Sequence, residues 1–444
     1  MRKWIALSSA LLVAAAFSSG SAHAEENSNG AAQSGVLQIP EQRIQGAEKE
    51  KSAITDASSS CSHIAKGREL CLSAAEPSET GNTYWAGGGR AARKSASGDA
   101  DAGQVAANEL VCSTGQLNYT YDRFNSCLGS YPVNITELKE GKPVGTANME
   151  VTAQMNLDPD GLTWKENIKI KYVKFTGNLT TTTFGVSFTA NCNRSCSMVN
   201  ASPWAGEQRI IPEQTISGDV TFGVGTPNSG FNGGITTNYK INISQSGTIP
   251  VQPNTSWSNP QKIRCDNEVG GTAGCVYSHV KPNLELPLSQ YGEAAATYLF
   301  QQQYSNYAWG TEQEPLHRLA DEAAQQANRD STCVVAAEGA VDTPELFVRK
   351  TSRIPEDSCD EYPFAASVEG GTPGEFCNDV EFELVDGKWI YDNANPSKPW
   401  TQEANCTRGH VPFDLNRNAG GALGRLVQSE RIIDFDAYTV TVTE

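Results

Sequence analysis

The chain has 444 residues, a formal net charge of −17 at neutral pH and 12 cysteines. A balance this acidic excludes broad electrostatic attraction to nucleic acid or anionic lipid, so a polyanionic substrate would need a divalent cation or a local basic cluster. The even cysteine count reads as a disulfide framework rather than a metal cluster, and Cys192-x-x-x-Cys196 has no partner pair at zinc-ligand spacing beside it.

Arg2 and Lys3 precede an apolar run from Trp4 to Phe17, and Ala22 and Ala24 bracket His23. This is the pattern of an export signal over residues 1–24, cut between Ala24 and Glu25, and it predicts a secreted, extracellular chain. No later apolar stretch approaches the roughly 20 residues of a membrane helix, so no membrane partner is expected. Residues 25–104 are rich in Ala, Ser, Gly, Glu and Lys and carry no sustained period, which predicts a pro-segment or linker. Sequence neighbours suggest the pairs Cys61/Cys71, Cys112/Cys127, Cys192/Cys196, Cys265/Cys275, Cys333/Cys359 and Cys377/Cys406, although spacing leaves connectivity open.

Residues 105–287 change character. Short runs rich in Val, Ile, Thr, Tyr and Phe, such as 146–157, 164–179, 182–192, 216–225 and 236–247, alternate with Gly, Asn, Pro and Ser clusters. Ile168, Ile170 and Tyr172 against Lys169 and Lys171 give one inward and one wet face, which predicts an all-β, sandwich-like domain.

Residues 288–444 predict a smaller α+β domain. Helices are expected over 288–305 and 317–330, a hairpin around Asp386-Gly387 within 379–392, a helix over 414–428 and a closing strand over 435–444. In the third helix Leu415, Ala419, Ala422, Leu423 and Leu426 form one apolar face. Gly420 and Gly421 inside it suggest close approach by a backbone or a ligand. Asn416 and Arg417 lie at its start, where free N–H groups and the helix dipole favour anions.

No H-E-x-x-H, G-x-S-x-G or phosphate-loop motif is present. "SCDEYPFAASVEGG" (358–371), taken alone, reads as solvated loop carboxylates before a proline. Together with "PLHRLAD" (315–321), "ANRD" (327–330), "VPFDLNRNAGGALGRL" (411–426) and "DFDAYTVTV" (434–442), it resembles the successive blocks of the NucA/NucB family of secreted bacterial deoxyribonucleases. The resemblance covers about residues 310–444, in order.

The resemblance implies a reduced ββα-metal, His-Me-finger-like nuclease domain acting on DNA. Asp360 would be the general base, Glu361 a metal ligand or second acid, and Asn416 the asparagine heading the active-site helix and a further metal candidate. Arg417 and Arg318 would clamp phosphate, with His317 beside them, and the cofactor would be Mg²⁺ or Mn²⁺. Cys359 would tie the motif to Cys333. An immunity or inhibitor protein would be a partner were the enzyme delivered against competitors. Leu415 stands where the family usually has an acid, with Asp414 one residue earlier, and Ala419 stands where a glutamine is often found. That departure favours the alternative, a non-catalytic cell-envelope or matrix-binding protein with a degenerate nuclease domain.

Overall fold

The computed structural model describes residues 34–39, 59–74, 119–120, 122–201, 204–227, 231–245, 253–337 and 340–444. Among them the chain is mostly β-sheet, with three α-helices. The signal expected over 1–24 lies outside the described residues.

The first body is a pair of sheets facing one another. The larger runs in the order Ser59–Ala65, Arg68–Ala74, Asn125–Lys139, Lys142–Asn156, Thr163–Val173, Thr215–Val224, Cys196–Asn200, every neighbour antiparallel. The smaller is ordered Gln208–Ile210, Phe184–Cys192, Thr237–Gln245, Asn254–Ser258. Alternation aims Trp164, Ile168, Ile170 and Tyr172 inward, where they share a core with Phe184, Val186, Ile241 and Trp257 of the opposite sheet. Ring contacts cross the gap, Tyr131 to Trp257 at 5.8 Å and Tyr172 to Phe184 at 5.5 Å. A strand lies in each expected run, although the run 164–179 is strand only to Val173 and then forms a 3-10 turn over Gly177–Thr181. A smaller sheet of Phe231–Ile235, Ile263–Val269 and Thr272–Tyr277 completes this body.

The segment expected to be linker over 25–104 is not wholly so. Ser59–Ala65 and Arg68–Ala74 form a hairpin on the edge of the larger sheet, and Ser34–Val36 is a strand of the second body. Leu70 and Leu72, both buried, supply the alternation, and the Cys61–Cys71 disulfide links facing residues of the hairpin. Five of the anticipated disulfides are present: Cys61–Cys71, Cys192–Cys196, Cys265–Cys275, Cys333–Cys359 and Cys377–Cys406. Cys127 is also disulfide-bonded, and Cys112 lies outside the described residues. This set of cystines is that of a chain folded in an oxidising compartment. No helix among the described residues is long and apolar enough to cross a membrane.

The second body, from Asn283 onward, has its own core of Leu286, Phe300, Tyr362, Val411, Leu423 and Val440, among others. Its sheet is ordered Ser34–Val36, Lys388–Asn393, Asn378–Val385, Thr407–Pro412, Asp357–Tyr362, with one parallel pair at its centre. A second sheet sets Asn283–Pro287 and Leu316–His317 on either side of Ala437–Thr443. The expected hairpin turns at Asp386 and Gly387, both at positive φ (50° and 74°) as a two-residue turn between twisted strands requires.

Helix α1 (Leu288–Tyr304) packs on the main sheet and against α3 (Phe413–Ser429). Helix α2 (Glu322–Thr332) starts five residues later than its periodicity suggested. Asp321 caps it by accepting from the Ala324 N–H at 3.0 Å, and Leu316–His317 is drawn off to pair with Ala437–Tyr438.

Candidate functional site

The strand Asp357–Tyr362 carries the acidic motif and runs antiparallel to Thr407–Pro412, with Cys359 opposite His410, Asp360 opposite Gly409 and Glu361 opposite Arg408. Thr407–Pro412 passes directly into α3. Side chains alternate across a strand, so Asp360 and Glu361 point to opposite faces of the sheet.

Asp360 faces α1. Its carboxyl is 4 % exposed and accepts from the Tyr298 hydroxyl, 2.9 Å from one oxygen and 3.2 Å from the other. Burial, reinforced by the adjacent Glu361 charge, pushes the Asp360 carboxyl well above the usual carboxylate range, and the Tyr298 hydrogen bond draws it part of the way back. Opposite Asp360 the strand has Gly409, where a β-carbon would run into Thr297 of α1, so glycine is what lets the helix lie this close. Asn416, in the first turn of α3, reaches the same face: its amide donates to the Cys359 carbonyl at 2.9 Å and to the Ser358 hydroxyl at 3.2 Å. Helix, strand and carboxylate are thereby fixed relative to one another.

Glu361 faces α2. Arg329 lies 3.9 Å away, and burial raises the Glu361 carboxyl to about 6 against the lowering pull of that guanidinium. The Cys333–Cys359 disulfide joins the end of α2 to the residue before Asp360, as the neighbouring cysteine positions suggested. On this face Arg408, fully buried, is held by Asp379 at 2.6 and 2.8 Å and donates to the carbonyls of Glu345 and Pro344. His410 Nδ1 lies 2.7 Å from Asp357, with its ring stacked on Phe347 at 4.1 Å.

The remaining candidates do not gather at Asp360. Arg417 is exposed, ion-paired with Asp414 at 3.0 Å and 5.9 Å above the Phe413 ring. Arg318 donates to the Ile432 carbonyl and lies near Asp434 and Asp436. His317 is clasped by Glu369, ring Nδ1 to Oε1 at 2.7 Å and backbone N–H to Oε2 at 2.9 Å. Leu415 is partly buried against the core, with its tip filling the space beside Gly292 of α1, which is a packing role. No backbone closes on the α3 glycine pair: a β-carbon at Gly420 would meet nothing within 4 Å, and one at Gly421 only the Arg425 side chain, which leaves the face free for a ligand. Both glycines lie on the open face of the helix.

The donor set does not fit a cation held jointly by Glu361 and Asn416 beside Asp360, because the two acids face opposite ways. Among the described residues no three His, Cys, Asp or Glu side chains converge to hold a metal. A surface groove of about 410 Å³, lined by Tyr307, Phe376, Pro399, Thr401 and Asn405 among others, involves none of the candidate residues.

Sequence reasoning missed Tyr298, which lies 62 positions from its carboxylate in a stretch that reads only as helix former. It also missed Arg408 with Asp379 and His410 with Asp357, pairs visible only once strand register is known. No family model matches the chain, and no curated protein matches it. Among solved structures, a point mutant of Salmonella alpha-2-macroglobulin and the same protein reacted with methylamine each show 13 % identity over 29 % of this chain and 8 % of theirs, at a TM-score of 0.17.

Proposed function

We propose that the second body is a nuclease that hydrolyses phosphodiester bonds of DNA, with Asp360 as the base that activates water. The observation that supports this best is the contact of Asn416, at the head of α3, with the Cys359 carbonyl immediately before Asp360. A carboxylate-bearing strand, an antiparallel partner and a helix leaving that partner directly make a rigid platform on which one acid is aimed with little freedom.

A phosphodiester is anionic and repels hydroxide, so hydrolysis needs a group that takes a proton as water attacks. Asp360 can do so only when ionised, and its raised pKa makes the active fraction grow with pH. The Tyr298 hydroxyl bonds the carboxylate and fixes its orientation. Arg417 does not reach Asp360; exposed beside Asn416 in the first turn of α3, it is assigned to a phosphate of the bound strand next to the scissile one, where a guanidinium can bind through two N–H groups. No step is assigned to a cation.

The test is nicking of supercoiled plasmid by the mature chain with Mg²⁺ or Mn²⁺, with and without chelator, across pH 5 to 9. Asp360→Asn is expected to reduce the rate by about 10²-fold or more, the usual size of a general-base contribution. Arg417→Ala is expected to cost on the order of tenfold, as loss of one charge-assisted contact does. Cutting that survives Asp360→Asn removes the site from the reaction, whereas cutting unaffected by chelator removes only the cation.

One observation favours a second reading. Asp360 is almost fully covered, beneath Tyr298. A non-catalytic envelope or matrix-binding protein predicts no cutting with any metal and saturable binding to cell-wall material.

A further inference from the structure

The edge of the main sheet of the second body is covered by a strand from far outside it. Residues 283–443 build this body almost alone, yet its edge strand Lys388–Asn393 is paired with Ser34–Val36, with Ser34 opposite Asp392, Gly35 opposite Tyr391 and Val36 opposite Ile390. The Leu37 N–H then donates to the Trp389 carbonyl at 3.0 Å. The whole first body intervenes in sequence.

Three features show that this seat selects its occupant. Gly35 passes directly over Tyr391, where any β-carbon would collide with the phenol ring. That ring cannot easily yield, because it is packed against Phe300 at 5.1 Å and Trp400 at 5.7 Å. Leu37 is 5 % exposed and enters the core of the second body, with Ile39 packed partly beside it. Beyond the strand, Gln303 of α1 grips the Gln38 backbone on both sides, accepting from its N–H at 3.3 Å and donating to its carbonyl. The segment "SGVLQIP" (34–40) has no charge, so nothing electrostatic is needed to hold it. A neutral extended peptide, hydrogen-bonded to a sheet edge and read by one glycine and one leucine, is strand addition with side-chain specificity.

We propose that the Lys388–Asn393 edge is a β-augmentation site for extended peptides of the type Gly-x-Leu-x-apolar. Its occupant in the intact protein is the chain's own Ser34–Ile39, bound in cis. The strap shields an edge that would otherwise offer unpaired N–H and C=O groups to another strand. The site is independent of Asp360, which lies on the strand at the opposite edge of the same sheet.

The experiment uses the full mature chain and a fluorescein-labelled SGVLQIP peptide, read by fluorescence anisotropy. Gly35→Val combined with Leu37→Asp should expel the strap and leave a seat that binds the peptide saturably. The wild-type chain, its seat filled, should bind at least tenfold more weakly, and a peptide with valine in place of its glycine should not bind the variant. A variant that keeps the wild-type near-ultraviolet circular dichroism yet binds no peptide, or equal binding by both chains, overturns the proposal. Were that variant to misfold, a second pair of substitutions decides: Val36→Cys with Ile390→Cys, which face one another in the register. Oxidation should give a cross-link within a single chain and abolish residual peptide binding. Cross-links found only between chains would show exchange of the strap with a second copy and overturn occupancy in cis.

Discussion

Glu166 occupies an inward position of the strand Thr163–Val173, in a row with Trp164, Ile168, Ile170 and Tyr172. It is fully buried, accepting from the Tyr239 hydroxyl of the opposite sheet at 2.6 Å and from Trp164 Nε1 at 3.3 Å. Burial raises its carboxyl from 4.5 to about 7, outweighing these hydrogen bonds. The native state therefore holds this proton more tightly than the unfolded chain does. The stabilisation is complete below about pH 4.5 and is lost as pH rises to about 7, a change of about 3 kcal/mol. Glu166→Gln removes the titration, so urea unfolding should show a gap between variant and wild type that shifts in favour of the variant by about 3 kcal/mol from pH 4.5 to pH 8. A gap that does not change with pH would contradict this assignment. The inward row was legible from period two through Ile168, Ile170 and Tyr172, but Glu166, in the same phase, was not singled out, because an acid two residues along looks like the edge of a wet turn until its partner sheet is known. Asp360 drew attention for a different reason, the resemblance of its motif and the blocks around it to a known family, since the motif alone reads as a solvated loop rather than the buried strand position it occupies. Tyr298, which positions Asp360, drew none, because a tyrosine among helix formers carries no local mark of its partner.

At the level of elements, alternation and turn chemistry were sufficient where strands are long and half-buried, as in Lys142–Asn156 and in the hairpin at Asp386-Gly387. They failed for Ser34–Val36, because three residues are too few for a period and the strand exists only through its partner. The glycine pair of α3 left two readings open, a packed backbone or a ligand, and the neighbours exclude the first. The Cys333–Cys359 disulfide was legible as a neighbouring pair, and its role belongs to this scale because it closes 26 residues and ties α2 to the acidic strand. Loop-closure entropy for that span gives about 3.5 kcal/mol of stabilisation. Replacing both cysteines by alanine should lower the urea-unfolding free energy by an amount of that order. Loss of under about 1 kcal/mol would mean that the α2 face is held mainly by Arg408 and Asp379, whose buried pair is itself costly to break.

At the scale of the whole molecule, the two bodies are joined through a buried charged network. Arg123 and Arg264 of the first body converge on Asp436 of the second, Arg123 at 2.8 Å and Arg264 at 2.6 and 2.7 Å. Arg264 also donates to the Arg431 carbonyl at 2.6 Å, and Arg431 crosses back to Asp266 at 2.5 Å and to the Pro159 carbonyl at 2.7 Å. All three arginines are buried, and burial lowers the Arg123 pKa against the opposing pull of Asp436. Asp436 lies in the motif "DFDAYTVTV", where sequence placed it only within a closing strand over 435–444, whereas the strand begins one residue later, at Ala437. Its position opposite two guanidiniums 172 and 313 residues earlier follows from how the bodies dock. Asp436→Asn keeps the shape but leaves Arg123 and Arg264 without their shared counter-charge, which typically costs about 3–5 kcal/mol. Because that cost falls on the junction rather than on either core, the two bodies should unfold less cooperatively. Calorimetry of the wild type should give one transition, and Asp436→Asn should give two, the first shifted down by several degrees. Buried pairs are weakly screened, so the split should persist at high ionic strength. A single transition lowered uniformly would instead mean that apolar contact between the bodies, not this network, makes them melt together.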